Sequence, residues 1–135
     1  MGSPRQIRGC AGRALGTLVL VTLSTGCDLV SAPVCTTSVE PGIVVEVYHA
    51  DTGEPAAEGA RGRVRDGTFS DSLWVHGARD GRLHSLAGAW ERAGTYEVEV
   101  VKEGFLTWTR EDVEVEEGEC HVRTVELRAD LVPSP

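Results

Sequence analysis

The stretch "GTYEVEVVKEGF", residues 94–105, determines the fold class of this chain. Tyr96, Val98 and Val100 alternate with a threonine and two glutamates, so apolar and polar side chains point to opposite faces of an extended backbone. A period of two is typical of a β-strand with one face in a core and the other in water. The stretch therefore predicts a strand of an antiparallel sheet that buries one of its faces.

The same alternation continues on both sides of this stretch from residue 41 onwards. It is clear in "GIVVEVYHA", residues 42–50, where Ile43, Val45 and Val47 share a face. Turn residues separate about seven such segments, at Gly53 and Pro55, at Asp66 and Gly67, and at Asp80 and Gly81. Residues 27–135 contain no convincing amphipathic helix. The sequence predicts an all-β fold, a seven-stranded antiparallel β-sandwich over residues 41–131, with a tail at residues 132–135.

The first 26 residues have the features of a secretory signal. Arg5, Arg8 and Arg13 give a basic start, and an uncharged run of ten residues, 14–23, follows. This run is too short to cross a bilayer, which takes about 20 residues. A basic segment followed by a short apolar one is typical of a signal that is cleaved. We therefore predict that residues 1–26 are removed.

The segment "LSTGC", residues 23–27, resembles the lipobox of bacterial lipoproteins. The resemblance implies that the Cys27 thiol receives a diacylglyceryl group and that a peptidase cleaves after Gly26. The leucine of the motif stands one position early, at Leu23, and an ordinary signal peptide with a chance cysteine is the alternative. A lipoprotein would be attached to a membrane of the bacterial cell envelope on its extracytoplasmic side, with residues 27–40 as the tether.

The four cysteines are accounted for by these predictions. Cys10 leaves with the signal, and Cys27 takes the lipid. Cys35 and Cys120 remain, in a compartment where disulfides persist. We predict a Cys35–Cys120 disulfide that ties the start of the domain to its last strand, with two free buried thiols as the alternative.

Three groups of residues in the folded part resemble carboxypeptidase regulatory-like domains. The first is a Gly-x-Pro turn, at Gly53 and Pro55. The second is an Asp-Gly turn leading into a strand, at Asp80, Gly81 and Leu83. The third is an alternating segment that ends in Gly-aromatic, at residues 94–105. The resemblance implies a transthyretin-like β-sandwich that serves as an accessory or binding module and has no catalytic residues. The chain departs from the family at Ala93, where a proline is usual, and in the longer stretch between Phe69 and Arg79.

Composition and motifs argue against several classes of function. The chain has 13 basic and 21 acidic residues, a net charge of −8, whereas nucleic acid binding requires clustered lysine and arginine. It has no Gly-x-Ser-x-Gly or Ser-x-x-Lys motif, and its four histidines lack the spacing of a zinc site. His121 beside Cys120 supplies only two ligands, and the acidic residues 111–119 fit a charged edge strand better than a calcium site. We predict no enzymatic activity, no cofactor and no metal.

Two groups of side chains are candidates for ligand contact. Arg61, Arg63 and Arg65 form a stripe that could hold an anionic glycan or a lipid headgroup, with pairing to glutamates of neighbouring strands as the alternative. Trp108 stands three residues after Phe105, so the two have opposite strand parity and one could lie exposed against a sugar or a partner. Burial in the core is the alternative for Trp108.

The sequence thus favours a non-catalytic binding or scaffolding module, held at a membrane through the lipid on Cys27. Its partner would be an envelope protein or a glycan. The alternatives are a domain that binds a carbohydrate, a carrier with a small ligand at a homodimer interface, and a metal-dependent sugar hydrolase. The sequence does not specify the oligomeric state.

We predict that a non-reducing peptide map of the protein from the membrane fraction begins at a diacylated Cys27 and contains a peptide in which Cys35 is bridged to Cys120. Mass spectrometry measures both modifications in one experiment. An unmodified Cys27 in a soluble protein would contradict the anchor and would leave Cys27 as an odd thiol.

Overall fold

A computed structural model describes residues 34–135, which form seven β-strands and no helix. The strands are β1 (Ile43–His49), β2 (Arg61–Asp66), β3 (Phe69–Arg79), β4 (Arg82–Gly88), β5 (Gly94–Val101), β6 (Trp108–Val115) and β7 (Val125–Leu131). The all-β prediction is confirmed. The predicted signal peptide, Cys27 and the first part of the tether lie outside the described residues. Within residues 34–135 there is no helix that could span a membrane.

The strands form one continuous sheet in the order β6-β5-β2-β3-β4-β1-β7. β3 belongs to both halves of this sheet, because residues 69–73 pair with β2 and residues 74–79 pair with β4. The sheet folds over at β3, and the apolar faces of the two halves enclose a single core. The long stretch between Phe69 and Arg79 is therefore one strand shared by both layers of the sandwich.

One pairing differs from the antiparallel expectation. β1 and β7 are parallel, in register from Ile43 opposite Val125 to His49 opposite Leu131. The alternation of side chains reports which face of a strand is buried and carries no information about strand direction. The parallel pair therefore could not be predicted from the period of two.

The core is built from the alternate positions that the sequence indicated. Its large and fully buried members are Ile43, Val45, Val47, Val64, Leu86, Tyr96, Val98, Val100 and Leu131. Tyr96 is also held by its polar end, since its hydroxyl donates to the backbone carbonyl of Arg92 at 2.9 Å, in the manner of a tyrosine corner. The Arg92 guanidinium in turn donates to Asp66 at 2.8 Å and lies 3.9 Å from the centroid of the Phe69 ring. This arrangement fastens the β4–β5 loop to the β2–β3 hairpin.

Leu73 occupies the position at which β3 passes from one half of the sheet to the other. Two glycines face it. A Cβ on Gly62 would lie 2.6 Å from Leu73 Cδ1 and 2.7 Å from Leu73 Cβ, and a Cβ on Gly88 would lie 2.7 Å from Leu73 Cδ2. Real side chains do not approach so closely, so both glycines are required for Leu73 to enter the core.

The predicted disulfide between Cys35 and Cys120 is confirmed, and it joins residues 85 positions apart. Closing a loop of this length stabilises the fold by about 4–5 kcal/mol in the chain-entropy model. Cys120 does not lie in the last strand. It lies in a short hairpin before β7, closed by hydrogen bonds from Gly118 N to His121 O and from Arg123 N to Glu116 O, both 2.9 Å.

Residues assigned to a tether and a tail contact the folded domain. Cys35 is held by its disulfide, and Glu40 N donates to the carboxylate of Glu91 at 2.8 Å. At the other end, Leu106 N donates to Val132 O at 2.8 Å and Ser134 N donates to Gly104 O at 2.9 Å. The folded unit therefore includes residues on both sides of the interval 41–131.

We expect Gly62→Ala and Gly88→Ala each to lower the free energy of unfolding by about 1–3 kcal/mol, through overpacking against Leu73. Leu73→Ala should lower it by about 2–5 kcal/mol, and Ser72→Ala, an exposed neighbour, by less than about 0.5 kcal/mol. Urea denaturation of the oxidised protein measures all four.

Double variants separate the two glycines. Leu73→Ala removes the Cδ2 methyl group that Gly88→Ala would meet at 2.7 Å and leaves a closest contact of 3.1 Å, with Ser72 O, so the losses in this pair should be less than additive. The Cβ that Gly62→Ala would meet remains in Leu73→Ala, so the losses in that pair should add more fully. Equal coupling in both pairs would contradict this packing.

Candidate functional site

The three tryptophans occupy different environments. Trp108, the tryptophan that the sequence favoured for ligand contact, is half-buried and packs against the core together with Phe105. Trp74 on β3 is 68% exposed, and Trp90 in the β4–β5 loop is 38% exposed. The exposed aromatic surface is therefore contributed by Trp74 rather than by Trp108.

The strand parity of Trp74 also places it on the solvent-facing side of β3. Trp74 shares strand parity with Ser70 and Ser72, which pair with the outward-facing Arg65 and Arg63 of β2. Its neighbour Leu73 has the opposite parity and is buried. A tryptophan on the wet face of a strand is the kind of residue that marks a contact surface.

A cleft of about 300 Å³ opens beside Trp74. β2 and β3 are paired up to Gly62 opposite Leu73, and beyond this pair β3 turns away to join β4. The two strands diverge there, and the space between them is not filled by another strand of the described chain. The cleft is lined by Ala60, Arg61, Gly62, Ser72, Leu73, Trp74, Val75 and Leu86.

The lining determines what the cleft can do. It combines apolar side chains with one cation, Arg61, and one hydroxyl, Ser72. None of the lining residues is a histidine, a cysteine or a carboxylic acid, so the cleft offers no general base and no activated nucleophile. Its volume lies at the lower limit of about 300–1,000 Å³ for small-ligand sites. The arrangement is suited to binding.

The arginine stripe is present on the outer face of the sheet. Arg63 and Arg65 of β2 lie opposite Glu99 and Glu97 of β5, while Arg61 lies opposite Val101. All three arginines are exposed, and among residues 34–135 none of their nitrogens lies within 4.0 Å of a carboxylate oxygen. The strand register matches the predicted pairing, but the ion pairs themselves are not formed.

Tyr48 is covered although it lies on the outer face of β1. The Arg128 guanidinium is 4.1 Å from the centroid of its ring, and Arg79 donates to its hydroxyl at 3.1 Å. Glu46 approaches both Arg79 and His84 at 3.8 Å. This group of side chains covers the ring of Tyr48 on the outer surface of β1.

A network of hydrogen bonds around Glu91 lies beside the disulfide. Its carboxylate accepts from Glu40 N at 2.8 Å and lies 2.7 Å from His121 Nδ1, while His121 Nε2 lies 3.1 Å from the Thr36 hydroxyl. The hydrogen bond from the Glu40 amide, followed by the contact with His121, lowers the pKa of the Glu91 carboxyl. No group of three or more metal-ligating side chains occurs among residues 34–135. The network fastens the N-terminal segment to the domain.

Comparisons with known proteins give little. No protein-family model and no curated protein matches this chain. One solved structure that it resembles is a "putative carbohydrate binding protein" from Bacteroides uniformis, with a TM-score of 0.44 and 15% identity. The similarity covers 70% of this chain and 43% of that one. At this TM-score the similarity carries no argument about what the present protein binds.

We expect the Glu91 network to make stability depend on pH. The pKa of Glu91 is lowered in the folded state, so its ionised form stabilises the fold above the unfolded pKa of about 4.3, and this contribution is lost as the pH falls through the lower folded pKa. Glu91→Gln should remove this dependence while its amide oxygen keeps the hydrogen bond from Glu40 N. Urea denaturation between pH 3 and pH 7 would show wild type losing its advantage over Glu91→Gln on acidification.

Glu126→Gln, at an exposed position of β7, is the matched control for loss of one carboxylate. If wild type and Glu91→Gln lost stability in parallel on acidification, the role of the Glu91 carboxylate would be refuted.

Proposed function

We propose that this protein is a non-catalytic binding module, held at the surface of a bacterial membrane by a lipid on Cys27, and that it binds another envelope protein through the cleft beside Trp74. The observation that carries the proposal is the exposure of Trp74 at the mouth of an apolar cleft whose lining has no acid, base or nucleophile.

The exposed side chains argue for a contact surface. Val75, next to Trp74, is 49% exposed and lines the same cleft, so two large apolar residues are accessible to water there. Contiguous apolar patches on soluble domains mark sites of interaction more often than single exposed residues do. Tryptophan and arginine are enriched among the residues that dominate binding energy in protein interfaces, and Arg61 adjoins Trp74 in the cleft.

The proposed anchor is supported by the sequence of the N-terminal region, and the position of the disulfide limits the length of the tether. Residues 1–27 have the order of segments found in lipoprotein signals. The first residue that the fold holds covalently is Cys35, eight positions after Cys27. A chain of this length spans at most about 26–29 Å. A domain on such a tether would meet its partners close to the membrane.

A carbohydrate ligand is the second candidate. An indole face together with a guanidinium and a hydroxyl, as supplied by Trp74, Arg61 and Ser72, is a combination that can hold a sugar ring. A glycan array probed with wild type and with Trp74→Ala distinguishes this candidate from a protein partner.

Photo-crosslinking in intact cells tests the proposal. A photoreactive phenylalanine analogue at Ser72, in the cleft, should give a discrete adduct with a second protein in the membrane fraction. The same analogue at Glu126, exposed on β7, is the control and should give none. Trp74→Ala in the Ser72 variant should reduce the adduct at least fivefold.

Folding of the variants is checked independently. Trp74→Ala should unfold at the same urea concentration as wild type because Trp74 is exposed, whereas Trp108→Ala should be less stable by about 2 kcal/mol. Equal adducts at positions 72 and 126, or none at position 72, would refute the cleft as the binding site. A full-length protein found only in the soluble fraction would refute the anchor.

A further inference from the structure

Sheet margins present unpaired backbone N–H and C=O groups that can pair with another chain. Within residues 34–135 such margins include the outer sides of β6 and β7 and the two sides of β3 that lose a neighbour where the sheet folds over. Residues 82–84 of β4 and residues 94–96 of β5 also extend beyond the register of β1 and β2. Proteins usually protect such margins with charge or with covering segments.

β6 and β7 are protected by charge. The solvent-facing side chains of β6 include Arg110, Glu111, Asp112 and Glu114, and Asp112 also has a left-handed backbone, with φ of 55°, beside a register shift. β7 carries Glu126, Arg128 and Asp130 at successive outward positions. Charged side chains and bulges oppose the addition of a further strand.

The first half of β3 is protected by the β4–β5 loop. Arg92 lies over Phe69, and the carboxylate of Asp71 accepts a hydrogen bond from Ala89 N at 3.3 Å. Leu73 packs against Gly88 on the same side. These contacts leave no room for another chain along residues 69–73.

The second half of β3 is covered less fully, and the contact that the β4–β5 loop makes with it is at His76, whose ring centroid lies 5.7 Å from that of Trp90. Residues 74–78 read Trp-Val-His-Gly-Ala and contain no residue that carries a fixed charge. They pair with β4 on one side, and no strand of the described chain pairs with them on the other. A register shift at His76 interrupts the ladder, so the regular part of this margin is short and centres on Trp74 and Val75. The apolar cleft opens at this same position.

We propose that an extended segment of the partner protein adds to the sheet as a short strand beside Trp74 and Val75 of β3, with an apolar side chain in the cleft and a carboxylate near Arg61. This inference rests on the proposed function and specifies its binding mode. The cleft lies where β2 and β3 diverge, which is where a strand inserted between them would lie. Backbone hydrogen bonds supply affinity in this mode, and pockets for alternate side chains supply specificity.

The charge of the occupant follows from the rim of the cleft. Arg61 lines the cleft and Arg63 lies two residues further along β2, both exposed and without an ion pair among the described residues. The chain as a whole has a net charge of −8, and Arg63 lies opposite Glu99, so Arg61, opposite Val101, is the cation of this rim that has no facing carboxylate. A carboxylate on the added segment would satisfy Arg61 and would favour this site over the acidic remainder of the surface.

The test uses displayed random peptides of 12 residues, panned on the full-length protein extracted from membranes. Peptides enriched on wild type and depleted on Trp74→Ala should share alternating apolar residues and an aspartate or glutamate. A synthetic peptide from this pool should be N-methylated at one backbone position at a time. Methylation of the alternate residues whose N–H groups point to β3 should weaken binding at least tenfold. Methylation of the residues between them should weaken binding less than twofold. Arg61→Gln should weaken binding about threefold, and Arg128→Gln, on β7, should leave it unchanged.

Each other outcome overturns the inference. Peptides that tolerate N-methylation at every position do not add as a strand, and the absence of any peptide dependent on Trp74 removes the mode altogether. An adduct at position 72 without such peptides would leave the proposed function standing and refute strand addition alone. A photo-crosslinked adduct at position 72 with twice the monomer mass would show that a second copy of the chain binds at this margin, and it would overturn the proposed partner protein. Glycan binding dependent on Trp74 with no protein adduct would refute both proposals.

Discussion

The fold depends on how one leucine is accommodated. β3 must run without interruption through both layers of the sheet, and Leu73 is the residue at which it changes from one layer to the other. Its side chain reaches the core only because Gly62 and Gly88 have no Cβ to obstruct it. Neither glycine has a positive φ, so their role is close packing rather than an unusual backbone conformation. The core of both layers is continuous as a result.

The candidate site follows from the same constraint. Because β3 leaves β2 after Leu73, the next residues of β3 lose a neighbour on one side, and the cleft forms in the gap. The outer margins of β6 and β7 are charged and the first half of β3 is covered, which opposes pairing of the sheet with itself. Leaving the segment around Trp74 and Val75 apolar and exposed carries a risk of aggregation. A binding role would account for that risk.

The sequence was most informative where a single local rule governs the structure. The alternation in residues 94–105 predicted β5 and its buried face, and the count of cysteines predicted the bridge between Cys35 and Cys120. It failed where the outcome depends on partners distant in the chain. The direction of β7, the length of β3 and the register shift at His76 are set by tertiary pairing. The sequence favours Trp108 over Trp74 for ligand contact because the parity of a single strand does not show how far its solvent-facing side is covered by other parts of the fold.

The pairing of β1 with β7 also determines when, during synthesis, the domain can complete its sheet. Ile43 cannot pair until Val125 has been synthesised, and Cys35 cannot form its disulfide until the cysteine 85 residues later has been synthesised. At a synthesis rate of about 5–20 residues per second, the ribosome takes roughly 4–17 seconds to bridge that interval. During this time the nascent chain lacks the strand that completes one layer of its sheet, and long-range strand pairing is slow even afterwards. Until β7 has been synthesised, Ala129 and Leu131 are missing from the core, so the domain completes its fold only after nearly the whole chain has left the ribosome.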